Sequence, residues 1–186
     1  MSVRADSSCQ PPALLHSVTV RLPGSSANCG AGFDCLAIAL AIFNRVTVSR
    51  LSPFTQHDPS ASAWSAVPET ESDTPAQDMA LSAAVAFGDA AHITGFCFKY
   101  RLHGDVPVAR GVGSSATVVG GVLAALNAIS GSPLTRHQLI AIAAHIEGHA
   151  DNAAAAFLGG FCVARCNPVS NAYATCPSSD AKTVTF

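Results

Sequence analysis

The stretch 111–135 carries no ionisable side chain, and it constrains the fold more than any other part of the chain. Its mainly apolar section, Ala116–Ile129, is only 14 residues long and still contains Gly120, Gly121 and Asn127. That length predicts a helix buried in a protein core, because a membrane span needs about 20 apolar residues. We therefore expect a chain without a membrane span, folded around this helix.

The composition excludes several broad classes of protein. Of the 186 residues, 49% are hydrophobic and 12% are charged, and the net charge is -2 at pH 7. Disordered chains combine low hydrophobicity with high net charge, so we expect a folded chain of one domain, or of one domain and part of another. Nucleic-acid binding needs clustered Lys and Arg, which this near-neutral sequence does not suggest. The composition therefore predicts a partner other than nucleic acid.

The cysteines and the N-terminal residues predict an intracellular protein. There are 7 cysteines, and no two of them form the CxxC pair that would indicate zinc or redox chemistry. Secreted disulfide frameworks usually have an even, dense set of cysteines. Residues Met1–Pro12 contain Arg4 and Asp6 but no apolar run, so they do not resemble a secretory signal. These features predict reduced thiols and a cytoplasmic location.

Strands and helices are mixed without a regular βαβ order, which predicts an α+β fold. Period-two alternation predicts strands at Ser17–Leu22, Arg45–Arg50 and Phe96–Leu102, and another after a turn at Gly159–Gly160. Helices are predicted at Met79–Ala91, at Ala116–Ile129, after a Thr135–Gln138 capping box and at Asn152–Leu158. Residues 23–32 break the first strand, and 52–77, rich in Ser, Thr, Pro and acids, are interpreted as a loop or insertion. The last alternating run, Thr183–Phe186, predicts the start of another strand.

The first candidate for chemistry is the glycine-serine loop that precedes the buried helix, Arg110–Ala116. A helix N-terminus presents unpaired N–H groups and a positive dipole end, and glycines let the backbone approach a phosphate closely. The loop is neither a Walker A loop nor a dinucleotide fingerprint, because it lacks GK[ST] and a third glycine. Phosphate binding and a plain turn with Ser114 or Ser115 as the helix cap remain equally good explanations.

The second candidate is Glu147–Asn152, which places polar residues and a glycine between two apolar helices. Glu147 could bind Mg²⁺, which takes one or two carboxylates together with substrate phosphates. Asp151 could orient or deprotonate a hydroxyl, and it is equally suited to cap the helix that follows. His149 taken alone is better explained as a partly buried histidine with satisfied hydrogen bonds.

The third candidate is Ser25–Asp34, where small residues and glycines leave room for a ligand near the backbone. Asn28 offers an amide and Asp34 a carboxylate that could pair with a substrate ammonium group. Taken alone, the segment is better explained as a tight turn between a strand and a helix, with Asp34 as the cap.

Together, in this order and spacing, the three segments resemble the motifs of the GHMP small-molecule kinases. Pro23–Leu36 resembles that family's first motif, PATSANLGPGFDxLG, and Arg110–Ala116 is similar to its phosphate loop, RGLGSSA. Glu147–Asn152, followed by Gly159–Gly160, is similar to its EGHxDN…GG segment. The resemblance covers about residues 17–164, and the SAN…GFD and HxDN elements favour the homoserine kinase branch of the family.

The resemblance implies a role for each matching residue. The ATP phosphates would be held by the phosphate loop, which comprises Arg110, Gly111, Val112, Gly113, Ser114, Ser115 and Ala116, and Mg²⁺ by Ser115 and Glu147. The L-homoserine site would be lined by Asn28, Asp34, His149 and Asn152, with Asp34 near the amino group of the substrate. The catalytic candidates are Asp151, which falls where other members keep an aspartate, and Asn152. The implied reaction is the ATP-dependent phosphorylation of the homoserine hydroxyl to O-phospho-L-homoserine, a step of threonine biosynthesis.

The resemblance also implies a domain plan. An extension at 1–16 would precede a GHMP kinase N-terminal ATP-binding domain at 17–166, of the fold called ribosomal protein S5 domain 2-like. Residues 167–186 would begin a C-terminal domain that is largely absent, because nothing after Ala164 resembles the family's third glycine-rich motif or its substrate-binding arginines. Where the family's adenine pocket has an Asn, Gln77 or Asp78 would have to substitute. Many members are homodimers, so a homodimer is implied as well.

Three alternatives stand beside a homoserine kinase: a different GHMP kinase, a catalytically inactive nucleotide-binding or interaction module, and a chain that is not stable by itself. An inactive module would be expected to have lost its metal ligand or its phosphate loop. Ser115, Glu147 and the loop glycines are all present, which favours descent from an active enzyme.

Overall fold

A computed structural model describes residues 15–51, 64–167 and 172–175 and shows an α+β arrangement. The strands are β1 (Ser17–Ala27), β2 (Leu36–Arg50), β3 (Ser65–Pro68), β4 (Cys97–Gly104), β5 (Phe161–Asn167) and β6 (Ala172–Thr175). The helices are α1 (Gln77–Ala91), α2 (Ser114–Ile129), α3 (Arg136–Glu147) and α4 (Asp151–Leu158), with a 3-10 helix at Glu71–Ala76. None of the helices in the described ranges is both long enough and apolar enough to span a membrane.

Strand β2 is the centre of the sheet. It pairs antiparallel with β1 over most of its length, with β4 through residues 44–50 and with β5 through residues 36–38. The pair β3–β4 is parallel, and β6 extends the sheet beyond β5. Alternation along β2 turns Val46 and Val48 into the core, where neither is exposed to solvent.

Helix α2 covers this buried face of the sheet and also packs against α1, α3 and α4. Most of its residues are buried, as the sequence predicted for a helix enclosed on nearly every side. Gly121 lies so close to β2 that a Cβ atom there would overlap the side chain of Val46. The glycine therefore lets the helix backbone rest directly on the central strand, which fixes the distance between α2 and the sheet.

The predicted break at residues 23–32 is wrong in its first half. Strand β1 continues to Ala27 through a register shift between Pro23 and Ser25, because a β-bulge absorbs the irregularity without ending the pairing. The loop that follows leads into β2 at Leu36 and not into a helix. Asp34 therefore caps no helix, and the two short predicted strands are parts of two long ones.

Residues 64–77 are also more ordered than the predicted loop or insertion. Short β3 pairs with β4, its Ala66 is buried, and the 3-10 helix leads directly into α1. The segment lacks a long alternating pattern because four paired residues are too few to show one. The remainder of the predicted loop, 52–63, and the predicted strand at Thr183–Phe186 lie outside the described residues.

The other predicted elements are confirmed to within a few residues. Helix α1 begins two residues before the predicted start, and β4 matches the predicted strand. The Thr135–Gln138 capping box forms as expected: the Gln138 amide donates to Thr135 Oγ1 at 3.3 Å, and the Thr135 amide donates to Gln138 Oε1 at 2.8 Å. Helix α4 begins at Asp151 with Ala150 as its N-cap, so the explanation of Asp151 as the cap of this helix is wrong.

Asp73 fastens the 3-10 helix to the sheet. Its carboxylate is 1% exposed and accepts hydrogen bonds from the Leu102 amide at 3.0 Å and from the Thr70 hydroxyl at 2.7 Å. Its backbone carbonyl accepts the phenol hydrogen of Tyr100 at 2.8 Å. These bonds place the residues before α1 against β4, beside the cavity described below.

We predict that Gly121→Ala destabilises the fold, although alanine is intrinsically the better helix former by about 1 kcal/mol. The added methyl group meets Val46, whose β-branched side chain cannot move aside, so we expect a net loss of about 1–3 kcal/mol. Urea unfolding monitored by circular dichroism measures the change.

Gly120→Ala is the matched control, because its methyl would meet only the ends of flexible side chains, Phe157 at 2.9 Å and Leu22 at 3.0 Å. We expect Gly120→Ala to cost less than Gly121→Ala. The double variant Gly121→Ala/Val46→Ala should cost less than the sum of its single changes. Additive costs would show that the helix and the strand do not meet at this point.

We also predict a loss of stability at high pH that originates at Tyr100. Burial, followed by the charges of Asp73 and Asp78, raises the pKa of Tyr100 from 10.0 to about 12. Between these two values the folded state retains a proton that the unfolded state has released, so the free energy of unfolding falls as the pH rises from 10 to 12. Denaturant titrations across this range should show a shallower fall in Tyr100→Phe; an identical pH dependence in both proteins would contradict the assignment.

Candidate functional site

A cavity of about 700 Å³ lies where β1, β2 and β4 meet the N-terminal ends of α1, α2 and α4. Its walls come from five parts of the chain that are far apart in sequence. They are the end of β1 with Asn28, Asn44 of β2, the 3-10 helix with Met79, the stretch from the end of β4 through the loop 106–113 to the first turn of α2, and the pair His149 and Asn152. The cavity thus brings together residues of all three sequence motifs.

The phosphate loop forms one wall and ends at the N-terminus of α2. Ala109, Gly111 and Gly113 have positive φ values of 57°, 70° and 68°, so the loop turns sharply three times within five residues. A Cβ atom at Gly113 would overlap the hydroxyl of Ser25, and the Ser25 amide donates to the Val112 carbonyl at 3.0 Å. The loop is therefore held directly against the bulge in β1.

Gly113 is the N-cap of α2, and no side chain caps this helix end. The alternative explanation of the loop, in which Ser114 or Ser115 caps the helix, is therefore wrong: both serines lie in the first helical turn. The hydrogen-bonding groups left open at this end are backbone amides at the positive end of a 16-residue helix.

Ser115 and Glu147 meet beside the phosphate loop. The Ser115 hydroxyl donates to Glu147 Oε2 at 2.6 Å, although the two residues lie 32 positions apart. Glu147 is the last residue of α3, and Gly148, with φ at 80°, turns the chain away immediately after it. A hydroxyl oxygen and a carboxylate oxygen therefore converge on one point, and oxygen donors of this kind suit Mg²⁺.

His149, Asp151 and Asn152 form a second polar group at the start of α4. His149 Nδ1 lies 2.8 Å from Asp151 Oδ1, and the same oxygen accepts the Asn152 amide at 2.6 Å. Asp151 is 1% exposed, and its Oδ2 has no hydrogen-bond partner among the described residues. Asn152 Oδ1 accepts the Ser25 hydroxyl at 2.7 Å, so its amide nitrogen is the atom it offers to a ligand.

The loop between β1 and β2 carries Asn28 and Asp34 in left-handed backbone conformations, with φ values of 58° and 54°. The Asp34 amide donates to Asn28 Oδ1 at 2.8 Å, which closes the loop on itself. The Asp34 side chain is exposed, and Phe33 beside it is 76% exposed. Asn28 lines the cavity, whereas Asp34 lies outside its wall.

The structure brings most of the predicted site residues to one cavity. Those in its wall are Asn28, Arg110, Gly111, Val112, Gly113, Ser114, Ser115, His149 and Asn152. Glu147 and Asp151 stand directly behind wall residues to which they are hydrogen-bonded, and Ala116 is buried in the first turn of α2. Asp34 is joined to the site by the bond from its amide to Asn28 Oδ1.

The expectation that Gln77 or Asp78 would substitute for the family's adenine-pocket Asn finds no support in the geometry. The Gln77 side chain donates to the Ala66 carbonyl at 3.1 Å, and neither residue belongs to the cavity wall. The 3-10 helix and the start of α1 contribute other residues to the cavity wall, namely Ser72, Asp73, Pro75, Ala76 and Met79. The 3-10 helix, which the sequence did not predict, leads into α1, and Met79 of α1 lines the cavity instead.

Sequence analysis missed two buried polar residues of the site, Asn44 and Thr117. Asn44 lies on the inward face of β2, two residues before Val46, where the alternation demands an apolar side chain. Thr117 is fully buried in the first turn of α2. The signal for Asn44 was its place in the alternating pattern, because a buried polar side chain must find hydrogen-bond partners.

The family model for the GHMP kinases N terminal domain matches residues 78–160, a range that includes all but the first residue of α1, the phosphate loop and the His149–Asn152 group. The match includes the cavity-wall residues from Met79 onward and none of those before it.

Curated relatives extend the similarity to the strands. A homoserine kinase of Trichormus variabilis is 39% identical over 148 residues, which cover 79% of this chain and 47% of the relative. A homoserine kinase of Corynebacterium efficiens is 35% identical over 152 residues, which cover 82% of this chain and 48% of the relative. The chain spans about half the length of the curated relatives it matches.

Solved structures agree with the fold. A protein of Listeria monocytogenes assigned as a homoserine kinase superposes with a TM-score of 0.57 at 29% identity, over 78% of this chain and 49% of that protein. A homoserine kinase of Cytophaga hutchinsonii gives a TM-score of 0.66 at 20% identity, over 89% of this chain and 53% of that protein, which bears on the fold alone. Motifs, cavity and similarities agree, and over residues 78–160 the chain matches the N-terminal domain of the GHMP kinases.

Proposed function

We propose that this chain is the nucleotide-binding part of an ATP:L-homoserine phosphotransferase. One observation carries the proposal: three motifs, with Ser25 of the first lying 127 positions from Asn152 of the third, converge on one cavity at the N-terminus of α2. One side of that cavity has the chemistry of a phosphate site, and the other offers amide and imidazole groups to a small polar acceptor. The curated relatives named homoserine kinase support this choice of acceptor.

The phosphate loop would bind the ATP phosphates through its backbone. Because no side chain caps α2, the amides of Ser114, Ser115 and Ala116 are available to phosphate oxygens. The helix dipole adds a favourable interaction with negative charge at the same end. Arg110 is exposed at the start of the loop, where its guanidinium can pair with a phosphate.

Ser115 and Glu147 fit a Mg²⁺ ion that accompanies the phosphates. The fit rests on the 2.6 Å contact between the Ser115 hydroxyl and Glu147 Oε2, which shows that both oxygens can reach one ion. The described residues contain no cluster of three or more His, Cys, Asp or Glu side chains that could hold a metal, so phosphate oxygens and water would complete the coordination. When bound, Mg²⁺ would neutralise charge on the transferring phosphoryl group.

The acceptor would occupy the side of the cavity formed by Asn28, His149 and Asn152. Asn28 and Asn152 offer amide groups, and exposed Asp34 can approach the ammonium group of an amino acid at the rim. Asp151 is buried behind this wall, so we assign it the task of orienting His149 and Asn152 through its Oδ1. Asn152 then fixes the acceptor hydroxyl from its amide nitrogen.

In the proposed reaction, the acceptor hydroxyl oxygen attacks the γ-phosphorus of ATP and the bond from that phosphorus to the β,γ-bridging oxygen breaks. The products are the phosphate ester and ADP, and the hydroxyl proton is released to solvent or to His149. Such transfers depend mainly on positioning and charge stabilisation, which these groups supply. No strongly basic side chain is required.

Glu147→Gln should weaken the binding of Mg-ATP by about tenfold, because a neutral amide is a poor ligand for a hard cation. The binding of ATP without Mg²⁺ should change little, since the phosphate-loop amides remain in place. Isothermal titration calorimetry with and without Mg²⁺ measures both affinities.

Glu69→Gln is the matched control, because Glu69 is exposed and does not line the cavity. It should leave both affinities unchanged. If Glu147→Gln bound Mg-ATP as tightly as the unchanged chain does, the magnesium assignment would be wrong.

The proposed activity predicts a product that is specific to homoserine. The chain, or a longer gene product that contains it, is incubated with Mg-ATP and either homoserine or mevalonate, and phosphorylated products are identified by mass spectrometry. We expect O-phosphohomoserine only, and Asn152→Ala should lower its rate of formation by at least about tenfold. Phosphorylation of mevalonate alone would indicate a different GHMP kinase, and nucleotide binding without turnover in a longer gene product would indicate an inactive module.

A further inference from the structure

Asn44 is a buried polar residue in the middle of the central strand, and the described hydrogen bonds account for both ends of its amide. Its Oδ1 accepts the Val106 amide hydrogen at 3.3 Å, and its Nδ2 donates to Thr117 Oγ1 at 2.8 Å. Asn44 is 9% exposed, and this small exposed fraction lies in the cavity wall. Both partners belong to segments that flank the phosphate loop.

Thr117 continues the network into the helix end. Its hydroxyl accepts a hydrogen bond from Asn44 Nδ2 and donates its own hydrogen to the Ser114 carbonyl at 2.7 Å. Thr117 therefore links the strand residue Asn44 to the first residue of α2. Ser114 is the first residue of α2, and Val106 precedes the loop on the other side. A single chain of hydrogen bonds therefore runs from the entrance of the phosphate loop, through the central strand, to its exit.

The surrounding backbone is shaped to admit the Asn44 side chain. Gly104 stands opposite Asn44 in the β2–β4 pair, and a Cβ atom there would approach Asn44 Oδ1 to 2.5 Å. The Asp105 amide donates to the Phe43 carbonyl at 3.0 Å, which keeps the loop entrance against β2. The amide of Asn44 thus sits in a space that only glycine at position 104 leaves open.

We infer that Asn44 and Thr117 are positioning residues for the phosphate loop. They fix both loop ends to the sheet, so that the amides of the first turn of α2 are oriented before a nucleotide arrives. The expected effect of these two residues on nucleotide affinity rests on the proposed function. Their expected effect on the order of the loop does not, because it can be measured without any ligand. Groups oriented in advance bind more tightly because less conformational freedom is lost on binding.

The experiment compares Asn44→Leu and Thr117→Val with the unchanged chain. Each substitution keeps the approximate side-chain volume. Asn44→Leu removes the bonds to Val106 and Thr117, and Thr117→Val removes the bond to Asn44 but leaves the one to Val106. We expect each variant to bind Mg-ATP about tenfold more weakly, the effect of one lost hydrogen bond of ordinary strength on an affinity. Hydrogen exchange of the amides at 105–117, measured without nucleotide, should be faster in both variants. Thr117→Ser, which retains the hydroxyl, should restore affinity to within about twofold of the unchanged chain.

Asn127→Leu is the matched control for a purely structural effect. Asn127 is also a buried asparagine, in the last turn of α2, and its side chain bonds the Leu134 amide at 2.9 Å and carbonyl at 3.0 Å, outside the cavity. This variant should lose stability to a similar extent while it retains nucleotide affinity and the slow exchange at 105–117. Thr117→Val, the smaller change, keeps the test available if Asn44→Leu does not fold.

Two results would overturn the inference. One is a Thr117→Val chain that is folded, binds Mg-ATP as the unchanged chain does and shows no faster exchange in the loop. The other is an Asn127→Leu chain that loses affinity and loop protection to the same extent. If the unchanged chain binds no Mg-ATP, the proposed function fails instead, and the exchange of the loop amides alone decides the role of Asn44 and Thr117.

Discussion

The close contact between the backbone of α2 and the central strand is the constraint on which the rest of this structure depends. Because Gly121 has no side chain, α2 rests directly on Val46, and its N-terminus is thereby fixed beside the inward face of β2. A bulkier residue would lift the helix and change the distance between the phosphate loop and the sheet. The phosphate loop leads into that helix end, and the bonds of Asn44 and Glu147 are made to Thr117 and Ser115 in its first turn.

The three motifs meet through hydrogen bonds that cross between distant parts of the chain. Ser25 in the first motif bonds Asn152 in the third and holds Val112 in the second through its backbone amide. Ser115 joins the second motif to the third through Glu147. Each such bond involves a buried or half-buried group, so breaking it leaves an unsatisfied polar atom, which costs more than the bond itself contributes. These bonds therefore hold the three motifs against one another at the cavity.

The sequence predicted the regular elements best where local patterns were long. The alternation in β4 and the capping box at Thr135 depend only on near neighbours, and both are confirmed. The extension of β1 through Ser25 and the short β3 were missed, because pairing with a distant strand decides whether such residues are extended. For the same reason the sequence could not place Met79 instead of Gln77 at the cavity.

The chemical groups that this protein presents can be read along the chain: a glycine-serine loop before an apolar helix, a carboxylate at Glu147, and amides at Asn28 and Asn152. Those features follow from composition and spacing along the chain, which no folding event can alter. The long-range packing, in contrast, leaves Asp34 outside the cavity wall, places Asp151 behind it and brings Asn44 to both ends of the loop. These placements depend on strand register and on the distance between helix and sheet, quantities that long-range packing sets and local sequence does not encode.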